Sequence, residues 1–160
     1  MAHFVIDHNF PQPVLNVRWP PSIQLAKVVD FDRRLVRDHE DWEIFLELDR
    51  RGGVDGYITN DAKVLNSATE MVALSTTNLT LIVTDDTGHT PIEAMGLLMA
   101  YLRQIAARVS ARSEIYVLRV GDVARHRASA REYIRRIAKR KYDRMISEET
   151  ARMSTYQGPG

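Results

Sequence analysis

Aspartates recur where short apolar runs stop. Asp7 follows the run His3–Ile6, Asp61 lies just beyond Val54–Thr59, and Asp85-Asp86 follows Leu79–Thr84. If these runs are neighbouring parallel strands, the acids converge at the carboxyl edge of the sheet, where α/β folds place their ligands. Asp41 can join them, because it shares an i, i+4, i+7 stripe with Phe45 and Leu48 near the start of a sheet-facing helix. The helix macrodipole favours an acid there as well. Each aspartate alone has a structural explanation as a turn closer or a helix cap. Three or four carboxylates gathered together repel, so pKa values rise or a cation neutralises them. The chain has no Cys, and its five His (His3, His8, His39, His89, His126) show no paired metal spacing. An oxygen-only donor set of Asp7, Asp41, Asp61 and Asp85 or Asp86 therefore favours Mg²⁺ or Mn²⁺ over Zn²⁺. An ion so held activates water and stabilises charge on a transferring phosphoryl group.

These residues also carry a resemblance. Asp7-His8-Asn9-Phe10-Pro11, after an N-terminal strand, resembles the opening of PIN-like domains, with an Asp, one residue, an Asn and a nearby Pro. Asp41 ahead of an amphipathic helix resembles their second acid, with Glu40 as the alternative. Ile58-Thr59-Asn60-Asp61 is similar to the strand-end motif that carries the third, and Asp85 or Asp86 stands near where a fourth often lies. The similarity spans about residues 3–105. It implies a three-layer α/β fold and a Mg²⁺- or Mn²⁺-dependent ribonuclease, often the toxin of a toxin–antitoxin pair. Asp7, Asp41 and Asp61 would be metal ligands and catalytic residues, with Asn9 positioning water or a ligand. An antitoxin-type protein and a second copy of the chain are the protein partners it suggests. The sequence departs from the pattern at His8, where many relatives have an acid, and in its long basic C-terminal extension.

Strands and helices must alternate for these acids to meet. His3–Ile6, Ile23–Phe31, Val54–Thr59, Leu79–Thr84 and Ile115–Val120 read as strands. Helices are expected at Asp41–Arg51, closed by Gly52-Gly53, at Thr69–Leu74, at Pro91–Val109 and from about Ala124 to Ile146. Thr90-Pro91-Ile92-Glu93 has the form of a capping box with Pro at the first helical position. The alternation predicts βαβ crossovers and a mostly parallel sheet with helices on both faces. Residues 1–150 read as one domain and 151–160 as a loose tail.

The net charge of +1 conceals a division. Residues 1–100 carry 8 Lys and Arg against 15 Asp and Glu, a net −7, whereas residues 101–160 carry 14 against 6, a net +8. Arg127, Arg131, Arg135 and Lys139 form one i+4 ridge of the expected C-terminal helix, and Arg136, Arg140 and Arg144 form another. Like charges at this spacing destabilise a helix, so the ridges call for a counter-charge. RNA phosphates, an acidic partner and the acidic half of the same fold all fit, and a solvated helix face is the plain alternative. Trp19, between Arg18 and Pro20, is a candidate for stacking on a base, while Trp42 at a helix start is expected to pack.

Several classes are excluded by pattern. There is no nucleophile elbow G-x-S-x-G, no P-loop and no dinucleotide-binding G-x-G-x-x-G. No run of about 18 apolar residues suggests a membrane span. Met1–Asp7 has no basic lead-in and meets an acid early, which predicts no signal peptide and a cytoplasmic location. A non-catalytic interaction or RNA-binding module with an incomplete metal site is the alternative to the nuclease. A magnesium-dependent phosphohydrolase of another α/β family is a further rival, although Asp7 has no second acid two residues on.

Overall fold

A computed structural model describes residues 1–37, 39–85, 90–109, 112–119, 127–141 and 143–158, with side chains for all of these except 140, 141 and 143–145. The apolar runs form β1 (Ala2–Ile6), β2 (Ile23–Lys27), β3 (Gly56–Thr59), β4 (Thr80–Thr84) and β5 (Glu114–Leu118), all mutually parallel. A short β6 (Arg127–Ser129) pairs antiparallel with β5, and the sheet order is β2-β1-β3-β4-β5-β6. Every residue of β3 and β4 is buried, as expected for central strands covered on both faces.

Side-chain alternation divides the core into two layers. Phe4, Ile6, Ile58, Ile82 and Leu118 pack with Leu98 and Leu102 of one helix, α5 (Pro91–Ala106). (The four helices before it are α1 at Val28–Phe31, α2 at Arg33–Arg37, α3 at Asp41–Arg51 and α4 at Ala68–Ser75.) Val5, Tyr57, Leu81, Val83 and Val117 face the other way. They pack with residues of α3, α4, α6 (Ala130–Lys141) and α7 (Asp143–Ser154). The fold is thus the expected three-layer α/β arrangement with a mostly parallel sheet. Gly56 permits it locally, because a Cβ there would stand 2.5 Å from the Thr80 carbonyl oxygen. Gly52, at φ +72°, closes α3.

Several expected elements differ. Ile23–Phe31 is not one strand: it stops at Lys27, whose N–H donates to Asp30 Oδ2, and α1 begins. The helix expected to reach Val109 ends at Ala106. Thr90 does precede α5, but its side chain makes no cap bond. Of the single helix expected over 124–146, residues 124–126 and 142 lie outside the described residues, and the others form β6, α6 and the start of α7. A capping box at Ser129 explains the late start: Ser129 N–H donates to Glu132 Oε2 at 2.8 Å and Glu132 N–H to Ser129 Oγ at 3.3 Å. The tail expected over 151–160 is helical to Ser154, and Tyr156 packs edge-on against Trp42. Among the described residues no helix is long and apolar enough to cross a membrane.

Candidate active site

Because β1, β3, β4 and β5 run parallel, Asp7, Asp61, Asp85 and Arg119 all emerge at one edge of the sheet. Asp7 is 4% exposed, its N–H donating to the Ile58 carbonyl at 2.8 Å. Its Oδ2 accepts from Thr59 Oγ1 at 3.1 Å. Its Oδ1 is buried without a hydrogen bond of acceptable geometry, although His8 Nδ1 stands 2.9 Å away in ion-pair range. Thr59 Oγ1 also accepts from Asp61 N–H at 3.1 Å, and Asp61 Oδ1 caps the 3₁₀ turn Ala62–Asn66 by accepting from Lys63 N–H at 2.9 Å.

Asp41 comes from the opposite direction, in the first turn of α3. Burial pushes its carboxyl pKa up, and the charges of Asp7 and Asp61 push it further, with His8 opposing. Glu70 of α4 responds alike: burial raises it, and Asp41, Glu40 and Asp61 add to the rise. Its Oε2 is buried without a hydrogen bond. Tyr57 lies beneath the acids, 1% exposed, its phenol pushed well up by burial and then by Asp7 and Asp41. Asp7, Asp41 and Asp61 therefore share one electrostatic site, to which Glu40, Glu70 and Tyr57 also belong. Of these, the sequence points to Glu40 only as an alternative to Asp41. It does not single out Tyr57 or Thr59, although Thr59 belongs to the very motif that ends at Asp61.

Other expected members lie apart. Asn9 is exposed in the turn closed by Phe10 N–H on the Asp7 carbonyl, and among the described residues it makes no hydrogen bond to the acids. Asp85, at the end of the strand next to β3, is paired with Arg119, whose Nε donates to its Oδ2 at 2.7 Å. Asp86, His89 and His126 lie outside the described residues. Among those described, no three His, Asp or Glu side chains are close enough to hold a metal ion as they stand. The donor chemistry nevertheless suits a hard divalent cation, since the oxygens include a buried Asp7 Oδ1 without a hydrogen bond and the Asp41 carboxyl, raised by burial and then by its acidic neighbours.

The basic residues divide by position. Arg127 lies on β6, not on the helix, where it pairs with Glu114 and sits 5.8 Å from the Tyr116 ring centroid. Because β6 runs back toward the amino edge, α6 starts there and returns toward the acids. Arg131, at its start, lines a recess of about 600 Å³ with Arg112 and Asn78. Arg135, Arg136 and Lys139 are exposed along α6, and the Arg140 side chain lies outside the described residues. Trp19 is committed internally, its Nε1 donating to the Val14 carbonyl at 3.0 Å. Trp42 is packed as expected, with Nε1 donating to Glu40 Oε2 at 2.7 Å.

Comparison with known proteins decides nothing. No family model matches the chain, and no curated protein or solved structure matches it significantly.

Proposed function

We propose that this chain is a PIN-like, Mg²⁺- or Mn²⁺-dependent ribonuclease. The observation that supports it most is the convergence of a buried Asp7 with Asp41, whose carboxyl is pushed up by burial and then by the charges of Asp7 and Asp61, at the carboxyl edge of a parallel sheet. Asp7, Asp41 and Asp61 are the oxygen donors that would hold the ion. Bound there, the ion would supply charge neutralisation at a phosphoryl oxygen and acidify a water. Thr59 holds the Asp7 carboxylate through Oδ2, while Oδ1 is buried without a hydrogen bond. His8 is exposed beside that carboxylate, its Nδ1 2.9 Å from Asp7 Oδ1. Burial and then the Asp7 and Asp41 charges keep the Tyr57 phenol protonated, and its buried hydroxyl makes no hydrogen bond among the described residues. The exposed cations of α6, from Arg131 at the amino edge to Arg136 near the carboxyl edge, form a track for an RNA backbone. A protein of the antitoxin type and a second copy of the chain are proposed as its protein partners.

One observation favours the second reading, an RNA-binding or interaction module without catalysis. As they stand, the described carboxylates form no three-ligand group. Incubating labelled single-stranded RNA with Mg²⁺, with Mn²⁺ and with chelator separates the two. The nuclease reading expects metal-dependent cleavage that Asp7→Asn and Asp61→Asn abolish while both variants remain folded. Equal cleavage by the wild type and both variants would remove the acids from catalysis. RNA binding without metal-dependent cleavage would establish the module.

A further inference from the structure

The carboxyl edge carries a second recess beside the acids, of about 330 Å³. Ala62, Leu65 and Asn66 of the 3₁₀ turn that Asp61 caps form one wall, and Asp85, Val117, Arg119, Tyr133 and Arg136 form the rest. β4 and β5 lie next after β3 in the sheet, so two strand spacings, about 10 Å, separate the end of β5 from that of β3. The recess therefore flanks the acidic site without sharing its residues.

Its chemistry differs from that of the acids. Tyr133 is half-buried, and the Arg136 guanidinium lies over its ring, 5.1 Å from the centroid. The ring and the cation are thus already stacked, and little ordering entropy remains to be lost on binding. Arg119 is held by Asp85, so among the described lining residues two guanidinium groups stand against one carboxylate. An aromatic–guanidinium pair beside an anchored arginine matches the way proteins hold single-stranded nucleotides, with the base stacked and the phosphate paired. The volume is at the low end of small-ligand sites, which suits one nucleotide.

We propose that this recess is a nucleotide subsite for the RNA strand that crosses the acidic site, with a base stacked on the Tyr133–Arg136 pair and the adjoining phosphate on Arg119. The identity of the ligand as RNA rests on the ribonuclease reading, while the stacking geometry stands apart from it. Arg119 and Tyr133 thereby join Arg136 as substrate-contacting residues, and the subsite tolerates any base because every base offers a π-face.

The test uses the full chain in chelator, where nothing is cleaved, and a fluorescein-labelled eight-nucleotide RNA of mixed sequence followed by anisotropy. Tyr133→Ala should weaken binding by roughly 5- to 150-fold, the loss expected from one base stack, and leave the logarithmic salt slope unchanged. Tyr133→Phe keeps the ring and should bind within about twofold of wild type, a margin well below the loss of a stack. Arg119→Gln should lower the salt slope by about 0.7, one phosphate contact on a single strand. Replacing nucleotides one at a time by abasic residues should reveal one position whose loss weakens the wild type but not Tyr133→Ala. If Tyr133→Ala does not fold, the abasic scan against Arg136→Ala, an exposed position, decides instead. Wild-type affinity in Tyr133→Ala, no abasic position of this kind, or no RNA binding by the wild type overturns the subsite. Tyr133-dependent binding without Asp7-dependent cleavage keeps the subsite and removes the nuclease. Asp7-dependent cleavage with no effect of Tyr133→Ala does the reverse.

Discussion

Thr59 and Asp7 are joined by one hydroxyl that serves two acids. Thr59 Oγ1 gives its proton to Asp7 Oδ2 and takes the backbone N–H of Asp61, each at 3.1 Å. The end of β1 and the loop after β3 are thereby fixed relative to each other at the point where two of the carboxylates emerge. Thr59→Val keeps shape and volume but leaves a buried carboxylate oxygen and a backbone N–H without their partner. The expected loss is about 1–3 kcal/mol, or roughly 2–4 °C in Tm per kcal/mol for a chain near this length. Metal-dependent cleavage should fall as well, because the Asp7 carboxylate loses its orientation. Thr59→Ser should restore both. Thermal melts and cleavage rates of the three proteins check this, and a Thr59→Val protein indistinguishable from wild type would show that the hydroxyl positions nothing.

The crowding of Asp41 has a pH signature. Its pKa and that of Glu70 are raised in the folded chain above their ordinary values of 3.8 and 4.5, chiefly by burial and then by neighbouring acids. Between those ordinary values and the raised ones, the folded state binds more protons than the unfolded state. The contribution of these groups to stability is therefore full at lower pH and is lost as pH rises across that window. Glu47, lowered by Arg50 and Arg51, acts in the opposite sense, so a single melting curve mixes the two. The difference between wild type and Asp41→Asn isolates the first. In chelator, the advantage of Asp41→Asn in Tm should grow as pH rises above about 4, near the ordinary carboxylate values. Millimolar Mg²⁺ or Mn²⁺ should raise the Tm of the wild type but not that of the variant. A pH-independent difference, or equal stabilisation of both by metal, would place Asp41 outside the charged cluster.

How legible this site was in the sequence depended on whether its partners were local. Asp7 and Asp61 are readable because strands end in acid wherever a parallel sheet offers its carboxyl edge, and Asp41 because helical spacing placed it above Phe45 and Leu48. Tyr57 was not readable, since a tyrosine in an apolar strand looks like core. Indeed its ring packs edge-on against Phe45, with centroids 5.4 Å apart, and only its hydroxyl belongs to the site. The partner of Asp85 was not readable for the complementary reason, because no local rule announces a strand-end arginine 34 residues away. The C-terminal helix was extended too far at its start because periodicity outweighed Ser129-x-x-Glu132, a capping signature as plain as the one at Thr90. At Thr90, by contrast, the signature marked the helix start while the cap bond itself does not form.

Arg131 and Arg135 separate a surface that binds from one that merely neutralises. Both are exposed on α6, and among the described residues neither has an ion-pair partner, in contrast to Arg127 with Glu114. Replacing both with Gln should leave Tm nearly unchanged, since surface substitutions of this kind stay within about 0.5 kcal/mol, and should relieve their i+4 repulsion. RNA affinity should fall by a similar factor on every sequence, and the salt slope by about 0.7 for each lost phosphate contact. Titrations at several salt concentrations check this. An unchanged slope with intact affinity would take the start of α6 out of the RNA path.

Tyr156 holds the helix that carries Asp41. Its ring meets Trp42 edge-on, at 5.3 Å between centroids and 71° between planes, while the Arg152 guanidinium lies 4.8 Å from the Trp42 centroid. Trp42 in turn donates through Nε1 to Glu40, immediately before Asp41. The segment after α7 thus supports the first turn of α3 from outside, and its loss should be felt at the carboxylates as well as in overall stability. Tyr156→Ala removes an aromatic pair worth about 0.5–1.5 kcal/mol beyond its buried area. It should shift Trp42 emission to the red as the indole becomes exposed and should weaken the binding of Mn²⁺. Tyr156→Phe should be neutral or slightly stabilising, because the Tyr156 hydroxyl is buried without a hydrogen-bond partner. Trp19, held in the other layer of the core, provides an internal reference if Trp42→Phe is measured alongside. If Tyr156→Ala lowers Tm but leaves Mn²⁺ affinity unchanged, the segment stabilises the fold without setting the position of Asp41. If neither changes, the stacking on Trp42 contributes nothing to either.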